Sequence, residues 1–257
     1  ATTLAAALEL THLGTLVHDD AVDHSALRRG MPTVNALFSH QISVIMGDFM
    51  YTRALRELVR VGDMEIMRVI TQASNDMTLG EMRQLAAFDK LGFTEDDYDL
   101  LIKAKTASLM GAAAEVGALV GAPRHREALG RFGLRLGMAF QVADDLLDYT
   151  ATADVTGKPA GLDLREHKVT IPLIAALREM SPAARARVES LFATPEPTDE
   201  QVADVITLVA EHGGLEYARR KGDDFVADAE EALVGLPESP ARASLQETIA
   251  YVLDRRW

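Results

Sequence analysis

The chain has 257 residues, 48% hydrophobic and 25% charged, with 26 lysines and arginines against 39 aspartates and glutamates and a formal net charge of −13. That balance belongs to a globular chain long enough to bury a substantial core, and its sign argues against a nucleic-acid partner, whose phosphates are bound through lysine and arginine. There is no cysteine, which excludes disulfides, thiolate metal sites and thiol nucleophiles and fits a cytoplasmic setting; no apolar run approaches the roughly 20 residues of a transmembrane segment.

The opening ATTLAAALEL lacks a basic start and carries Glu9, so it does not read as a signal peptide. It begins in mid-helical pattern with no cap, and a segment upstream of Ala1 is expected. Apolar residues at three- and four-residue spacing predict helices over 1–20, 32–60, 63–90, 95–120, 124–150, 168–179, 182–192, 198–211, 213–234 and 239–255. Thr94 with Asp97 makes a capping-box pattern ahead of the fourth, and Ser181-Pro182 and Ser239-Pro240 mark two later starts. Gly121-Ala122-Pro123, the PEP at 195–197 and Gly213-Gly214 separate others. Strand alternation and Asn-Gly turns are almost absent. No linker divides the chain and no short repeat marks a solenoid. The expectation is an all-α single domain over 1–257, a bundle of about ten helices.

Two acidic motifs stand out against this pattern. Residues 19–23 read DDAVD and residues 144–148 read DDLLD, each set among apolar neighbours. In both, the outer aspartates are four apart and share a helix face, where like charges repel by about 0.2–0.5 kcal/mol per pair. One such motif in an acidic protein is commonly a solvated face; two in apolar context point to a counter-charge. An all-oxygen donor set selects a hard divalent cation such as Mg2+, with positions left for water and phosphate. Cationic residues stand close by. Arg28 and Arg29 follow the first motif, Lys158 and Lys168 follow the second in TGKPAGLDLREHK (156–168) with Asp163 and Glu166, and Lys105-Thr106 lies on a helix between. Singly each reads as a surface salt-bridge partner; together they describe an anion held between divalent cations and basic side chains.

The stretches LVHDDAVDHSALRRGMPTVN, KTASLM, FQVADDLLD and GKPAGLDLREHKVTIPLI, in this order and on to YVLDRRW, resemble the trans-isoprenyl diphosphate synthases of the polyprenyl synthetase family, most of all its medium- and long-chain members. The resemblance implies an isoprenoid synthase fold, an all-α bundle around a deep central cavity, usually as a homodimer, with the two motifs facing each other across the cavity mouth. It implies a prenyltransferase in which Mg2+, expected as three ions with the bound diphosphate, is held by Asp19, Asp23 and Asp144, with Asp20, Asp145 and Asp148 beside them as further ligands. Arg28, Lys105, Gln141, Lys158 and Lys168 are implied contacts of the allylic diphosphate. Thr106 and Gln141 carry oxygens for the allylic cation left when diphosphate departs. Isopentenyl diphosphate, held by Arg29 and His12, attacks through its double bond, and the departing diphosphate takes the proton.

The chain departs from the family at one point. The Gly-Gly-Lys-x-x-Arg element that normally precedes the first motif and binds isopentenyl diphosphate does not occur in these residues, and it is expected upstream of Ala1. Product length is expected to follow from the cavity floor one turn, about 5 Å, before Asp19. Gly14 and Thr15 stand there, where short-chain members tend to carry an aromatic residue. These small residues predict a product longer than C20, unless Met46, Met50, Tyr51 or Met82 closes the tunnel from a facing helix.

Other readings stay open at this level. A class I terpene cyclase starts from the same ionisation, although the second DDxxD and the Arg28-Arg29-Gly30 run disfavour it. A non-catalytic partner subunit is another, although such subunits commonly lose aspartates that this chain keeps. A di-iron bundle built on Glu9-x-x-His12 needs a second such pair, which the other six histidines do not supply. His18 beside the aspartates reads best as a packing residue.

Overall fold

The computed structural model describes residues 1–28, 30–86, 91–150 and 160–253. Helix α1 (Thr2–Val22) leads into a small antiparallel hairpin of β1 (Leu27–Arg28) and β2 (Met31–Pro32), then a single turn α2 (Val34–Leu37), α3 (His40–Val61) and α4 (Met64–Ala86). Helix α5 (Glu95–Ile102) runs through a π-helical turn (Lys103–Ala107) into α6 (Ser108–Gly121), followed by the long α7 (Arg126–Thr150) and a short α8 (Leu162–Arg165). Helices α9 (Ile171–Glu179), α10 (Pro182–Ala193), α11 (Asp199–Glu211), α12 (Gly214–Leu233) and α13 (Pro240–Leu253) complete the described chain.

Most helix starts fall where side-chain chemistry puts them. Thr94 and Asp97 exchange both bonds of a capping box, and the Ser181 and Ser239 hydroxyls accept from the Ala184 and Arg242 N–H groups at 3.3 and 3.2 Å. Two expected helices differ. The stretch 32–60 is divided, because Thr33 caps α2 and Ser39 caps α3, each accepting from an N–H three residues on. The stretch 95–120 is continuous, but its middle turn widens so that the Ser108 N–H reaches the Lys103 carbonyl. Such π turns are rare and occur most often at functional sites.

Three apolar clusters share helices. The first joins α1, α3, α4 and α6 through Leu4, Leu58, Ile70 and Val116. The second joins α5, α6, α7, α9, α12 and α13 around Phe132, Leu136, Ile171 and Leu233. The third sets Tyr149 of α7 against α8 to α11. Helix α6 belongs to the first two and α7 to the last two, so this pair forms the spine between the halves. Their approach needs glycine: a β-carbon on Gly137 would stand 2.6 Å from the Ala107 α-carbon. Residues 133, 137, 141 and 145 share one face of α7 at four-residue spacing. The face that packs at Gly137 therefore also delivers Gln141 and Asp145 to the π turn and α5.

Replacing Gly137 with alanine drives a methyl against backbone and is expected to cost about 1–3 kcal/mol in urea unfolding. Gly117→Ala on α6, where an added methyl meets nothing within 4 Å, is expected to be neutral or stabilising by up to about 1 kcal/mol.

Candidate active site

Both acidic motifs lie at helix C-termini, in the last turn of α1 and the last two turns of α7. The terminal carbonyls of a helix already carry partial negative charge, so the aspartates add to that field instead of offsetting it. The two helix ends open on one cavity of about 540 Å³. Its wall takes Asp19, Asp23 and Arg28 from the first motif region, Glu81 and Gln84 from α4, and Tyr98, Lys105 and Thr106 from α5 and the π turn. Gln141, Asp144 and Asp145 come from α7, and Asp163, Glu166 and Lys168 from the segment after it. Among the described residues, seven carboxylates on this wall meet three lysine or arginine side chains.

The excess shows in protonation. Burial raises the Asp19 carboxyl above the usual range; Lys105 opposes this, while Glu81 and Asp23 add to it. Burial and then the Asp148 charge push Asp163 up to about 7, against the pull of Lys168. Asp145 and Asp148 are raised as well, chiefly by burial. Burial alone would depress the Lys168 ammonium, but Glu166 at 2.6 Å, with Asp163 and Asp23, holds it above the ordinary lysine value. Asp23 closes α1 and Lys168 lies beyond α7, so the two motif regions feel each other's charge.

The individual contacts divide the labour. Asp20 is buried and its Oδ1 accepts from Arg28 Nε at 2.9 Å. Lys105 Nζ lies 2.5 Å from Glu81 Oε2 and donates to Gln84 Oε1 at 3.0 Å. Asp148 accepts the Leu162 and Asp163 N–H groups at 3.0 and 3.1 Å, satisfying the first turn of α8. Asp145 is buried with both oxygens taken, Oδ2 by the Tyr98 hydroxyl at 2.6 Å and Oδ1 by Gln141 Nε2 at 2.7 Å. The Thr106 hydroxyl donates in turn to Gln141 Oε1 at 2.8 Å.

Of the residues expected from the sequence, Asp19, Asp23, Arg28, Lys105, Thr106, Gln141, Asp144, Asp145 and Lys168 line the one cavity. Arg29 and Lys158 lie outside the described residues. Asp145 takes a different part from the one expected: it is a buried acceptor with its oxygens occupied, not an open ligand. His12 does not reach the cavity. Seven residues place it on the face of Asp19 but about 10 Å along the axis, where it stays exposed. Gly14 and Thr15 are not its floor either. A β-carbon on Gly14 would point at the Gly47 carbonyl (3.2 Å) and at Met50 (3.5 Å), so this glycine sets the approach of α1 to α3. The Thr15 hydroxyl bonds the His12 carbonyl at 2.8 Å.

Four wall residues escaped the sequence reading in their present role. Glu81 and Gln84 are three apart and continue a helix whose Met77 is buried, a weak signal of an inward polar pair. Asp163 read only as loop acid. Tyr98 gave no local sign, because its partner is 47 residues away.

Among the described residues no three carboxylate or imidazole groups converge as a ready metal cage. The wall nevertheless suits Mg2+. Its donors are oxygens crowded beyond what their own charge tolerates, and Mg2+ takes one or two carboxylates and completes its octahedron with water and phosphate.

Comparison with known proteins agrees with this geometry. The Polyprenyl synthetase family model matches residues 1–209. The all-trans-nonaprenyl-diphosphate synthase (geranyl-diphosphate specific) of Rhodobacter capsulatus is 41% identical, over 98% of this chain and 77% of its own. A decaprenyl diphosphate synthase structure from Rhodobacter capsulatus superposes with a TM-score of 0.92 at 38% identity, covering 98% of this chain and 78% of that one. A polyprenyl synthase from Caulobacter crescentus CB15, complexed with calcium and isoprenyl diphosphate, gives 0.92 at 36% identity, covering 99% and 78%.

Asp163 sets a pH dependence. Folded, it keeps its proton up to about pH 7, whereas an unfolded aspartate releases it near ~3.9. The stability lent by that proton is complete below about pH 4 and lost as pH rises through about 7. The ligand-free Asp163→Asn variant, which cannot ionise there, should therefore gain in Tm relative to the parent chain between about pH 5 and pH 8. A Tm difference that does not change across that range would remove the assignment.

Proposed function

The chain belongs to the polyprenyl synthetase family, and on that premise we propose that it extends an allylic diphosphate with isopentenyl diphosphate to an all-trans polyprenyl diphosphate longer than C20. The observation that carries this reading is the single cavity on which the Asp19–Asp23 and Asp144 helix ends, Lys105, Lys168 and the Thr106–Gln141 pair all stand.

Mg2+ supplies the charge that draws a diphosphate into an acidic cavity and eases its departure as a leaving group, and Asp19, Asp23 and Asp144 would hold it. Arg28, Lys105 and Lys168 approach the phosphate oxygens from the protein side, Lys105 preplaced by Glu81 and Gln84 and Lys168 by Glu166. Arg29 and Lys158 are assigned to the same phosphates by their places beside the motifs. When the allylic carbon–oxygen bond breaks, the Thr106 and Gln141 oxygens face the positive carbon. The isopentenyl double bond then attacks that carbon, a carbon–carbon bond forms, and the proton lost from the adduct goes to the departing diphosphate.

The similar nonaprenyl and decaprenyl synthases support a product above C20. The core shared through α6 and α7 supports one catalytic domain over residues 1–257. Phe38, just ahead of α3, and Ile42, Ile45 and Phe49 on it recur every three or four residues at 44–67% exposure, an apolar face suited to a second copy of the chain in a homodimer. No helix of the described residues is long and apolar enough to cross a membrane, and we place the enzyme in the cytoplasm.

Incubation with Mg2+, labelled isopentenyl diphosphate and separate allylic starters, followed by sizing of the dephosphorylated products, tests the activity and fixes the chain length. Polyprenols longer than C20 are expected; a C20 ceiling would refute the length assignment. Cyclised hydrocarbon without isopentenyl incorporation would make the chain a cyclase, and turnover only with a second protein would make it a partner subunit. Asp19→Ala and Asp144→Ala should each lower turnover by about 10²-fold or more with unchanged helical circular dichroism. The double variant Ile45→Glu, Phe49→Asp should run as a monomer in light scattering.

A further inference from the structure

The Thr106–Gln141 pair does not orient itself. Gln141 has a carboxamide whose two ends differ in sign, and a free amide facing a cavity turns either way. Here the amide is gripped at both ends: its Nε2 donates to Asp145 Oδ1 at 2.7 Å and its Oε1 accepts the Thr106 hydroxyl at 2.8 Å. Turning it over would put Oε1 against a carboxylate oxygen and lose the bond to Asp145, and the Thr106 hydroxyl would have to accept from Nε2 instead of donating. The carboxylate is itself fixed, because the Tyr98 hydroxyl donates to Asp145 Oδ2 at 2.6 Å. Tyr98 is 1% exposed and Asp145 5% exposed, so both contacts lie away from bulk solvent. The chain of bonds runs from α5 to α7 and back to the π turn, all on the α7 face seated by Gly137.

We propose that Tyr98 and Asp145 are positioning residues that lock the Gln141 carboxamide with its oxygen, and the lone pairs of Thr106, toward the cavity. The proposal rests on the prenyl-transfer reaction, since it assigns the lock to the side of the cavity where positive charge develops. With the Thr106 hydrogen committed to Gln141, only acceptor lone pairs remain to meet the reacting carbon. Acceptors aligned before the bond breaks need no reorganisation when charge appears, which is the condition under which such dipoles lower a barrier. Asp145 thereby acts through Gln141, both of its oxygens being engaged by Tyr98 and Gln141, although it adjoins Asp144 in sequence.

Asp145→Leu keeps the branched shape, with larger methyls in place of the oxygens, and removes the acceptor; it is expected to lower kcat by about 10²-fold while KM for the allylic diphosphate and the Mg2+ requirement stay within about twofold. Tyr98→Phe, which removes one oxygen, is expected to lower kcat by about 10-fold and carries the test should the first variant fail to fold. In a Gln141→Leu background each substitution should cost less than about twofold more, because the group it positions is gone. A raised KM or a raised Mg2+ requirement would make Asp145 a metal ligand and overturn the proposal, as would full additivity with Gln141→Leu. A second readout needs no turnover. In protein labelled with 15N-glutamine, the Gln141 side-chain amide protons should exchange slowly with solvent in the parent chain and rapidly in Tyr98→Phe; rapid exchange in the parent chain would overturn the lock. A protected amide in a chain that incorporates no isopentenyl units would instead keep the lock and sink the reaction.

Discussion

Two helix ends, each weighted with aspartates, are pointed into one cavity, and their mutual repulsion is the constraint around which the rest is arranged. Carboxylates brought within about 4 Å of one another repel by about 4 kcal/mol at an effective dielectric near 20, and among the described residues seven carboxylates and three lysine or arginine side chains share this wall. The Asp19, Asp145 and Asp163 carboxyls of the wall are raised chiefly by burial, and the neighbouring carboxylates add their repulsion. A diphosphate alone would deepen it. A divalent cation relieves it and at the same time makes the wall attractive to phosphate, so metal and anion are linked ligands: each raises the affinity of the other because each removes part of the same repulsion.

Charge alone would not give a reaction, and the spine of α6 and α7 supplies the geometry. Because Gly137 lets α7 sit directly on the Ala107 backbone, the register of Gln141 and Asp145 against the π turn is fixed by main chain meeting main chain. No rotamer change can shift it by much. The π turn works from the other side. One extra residue in the turn rotates α5 relative to α6, so Lys105 and Thr106 reach the cavity while α6 keeps its own apolar face on the first core cluster. The polar residues of the cavity wall are thus carried on helices packed closely against one another.

Much of this was legible in the sequence, and the parts that were not have physical reasons. Apolar spacing located α1, α3 to α7 and α9 to α13, and capping residues such as Thr94, Ser181 and Ser239 located several starts, because both signals are local; the single turn α8 lay outside the expected helices. The π turn was invisible, since a five-residue widening leaves the three- and four-residue spacing on either side intact. The break between α2 and α3 was missed because Ser39 caps within a run whose apolar spacing continues through it. Gly14 was misplaced for a different reason: a small residue one turn before Asp19 suits an open floor and a close helix crossing equally, and only the position of Gly47 across from it decides. Tyr98 depended on a contact spanning most of two helices.

The second aspartate of each motif was the least legible of all, because the sequence writes adjacent aspartates alike and a helix does not point them alike. Successive residues turn by about 100°, so when Asp19 and Asp144 face the cavity mouth their neighbours turn inward. Asp20 is 6% exposed and Asp145 5%. Neither is idle there. Asp20 holds the Arg28 guanidinium and Asp145 holds the Gln141 carboxamide; in the proposed reaction the first is a donor for phosphate and the second an acceptor for the developing cation. One motif, repeated at two helix ends, is thus split by helical geometry: its first aspartate lines the cavity, and its second is buried and holds a side chain of the same wall.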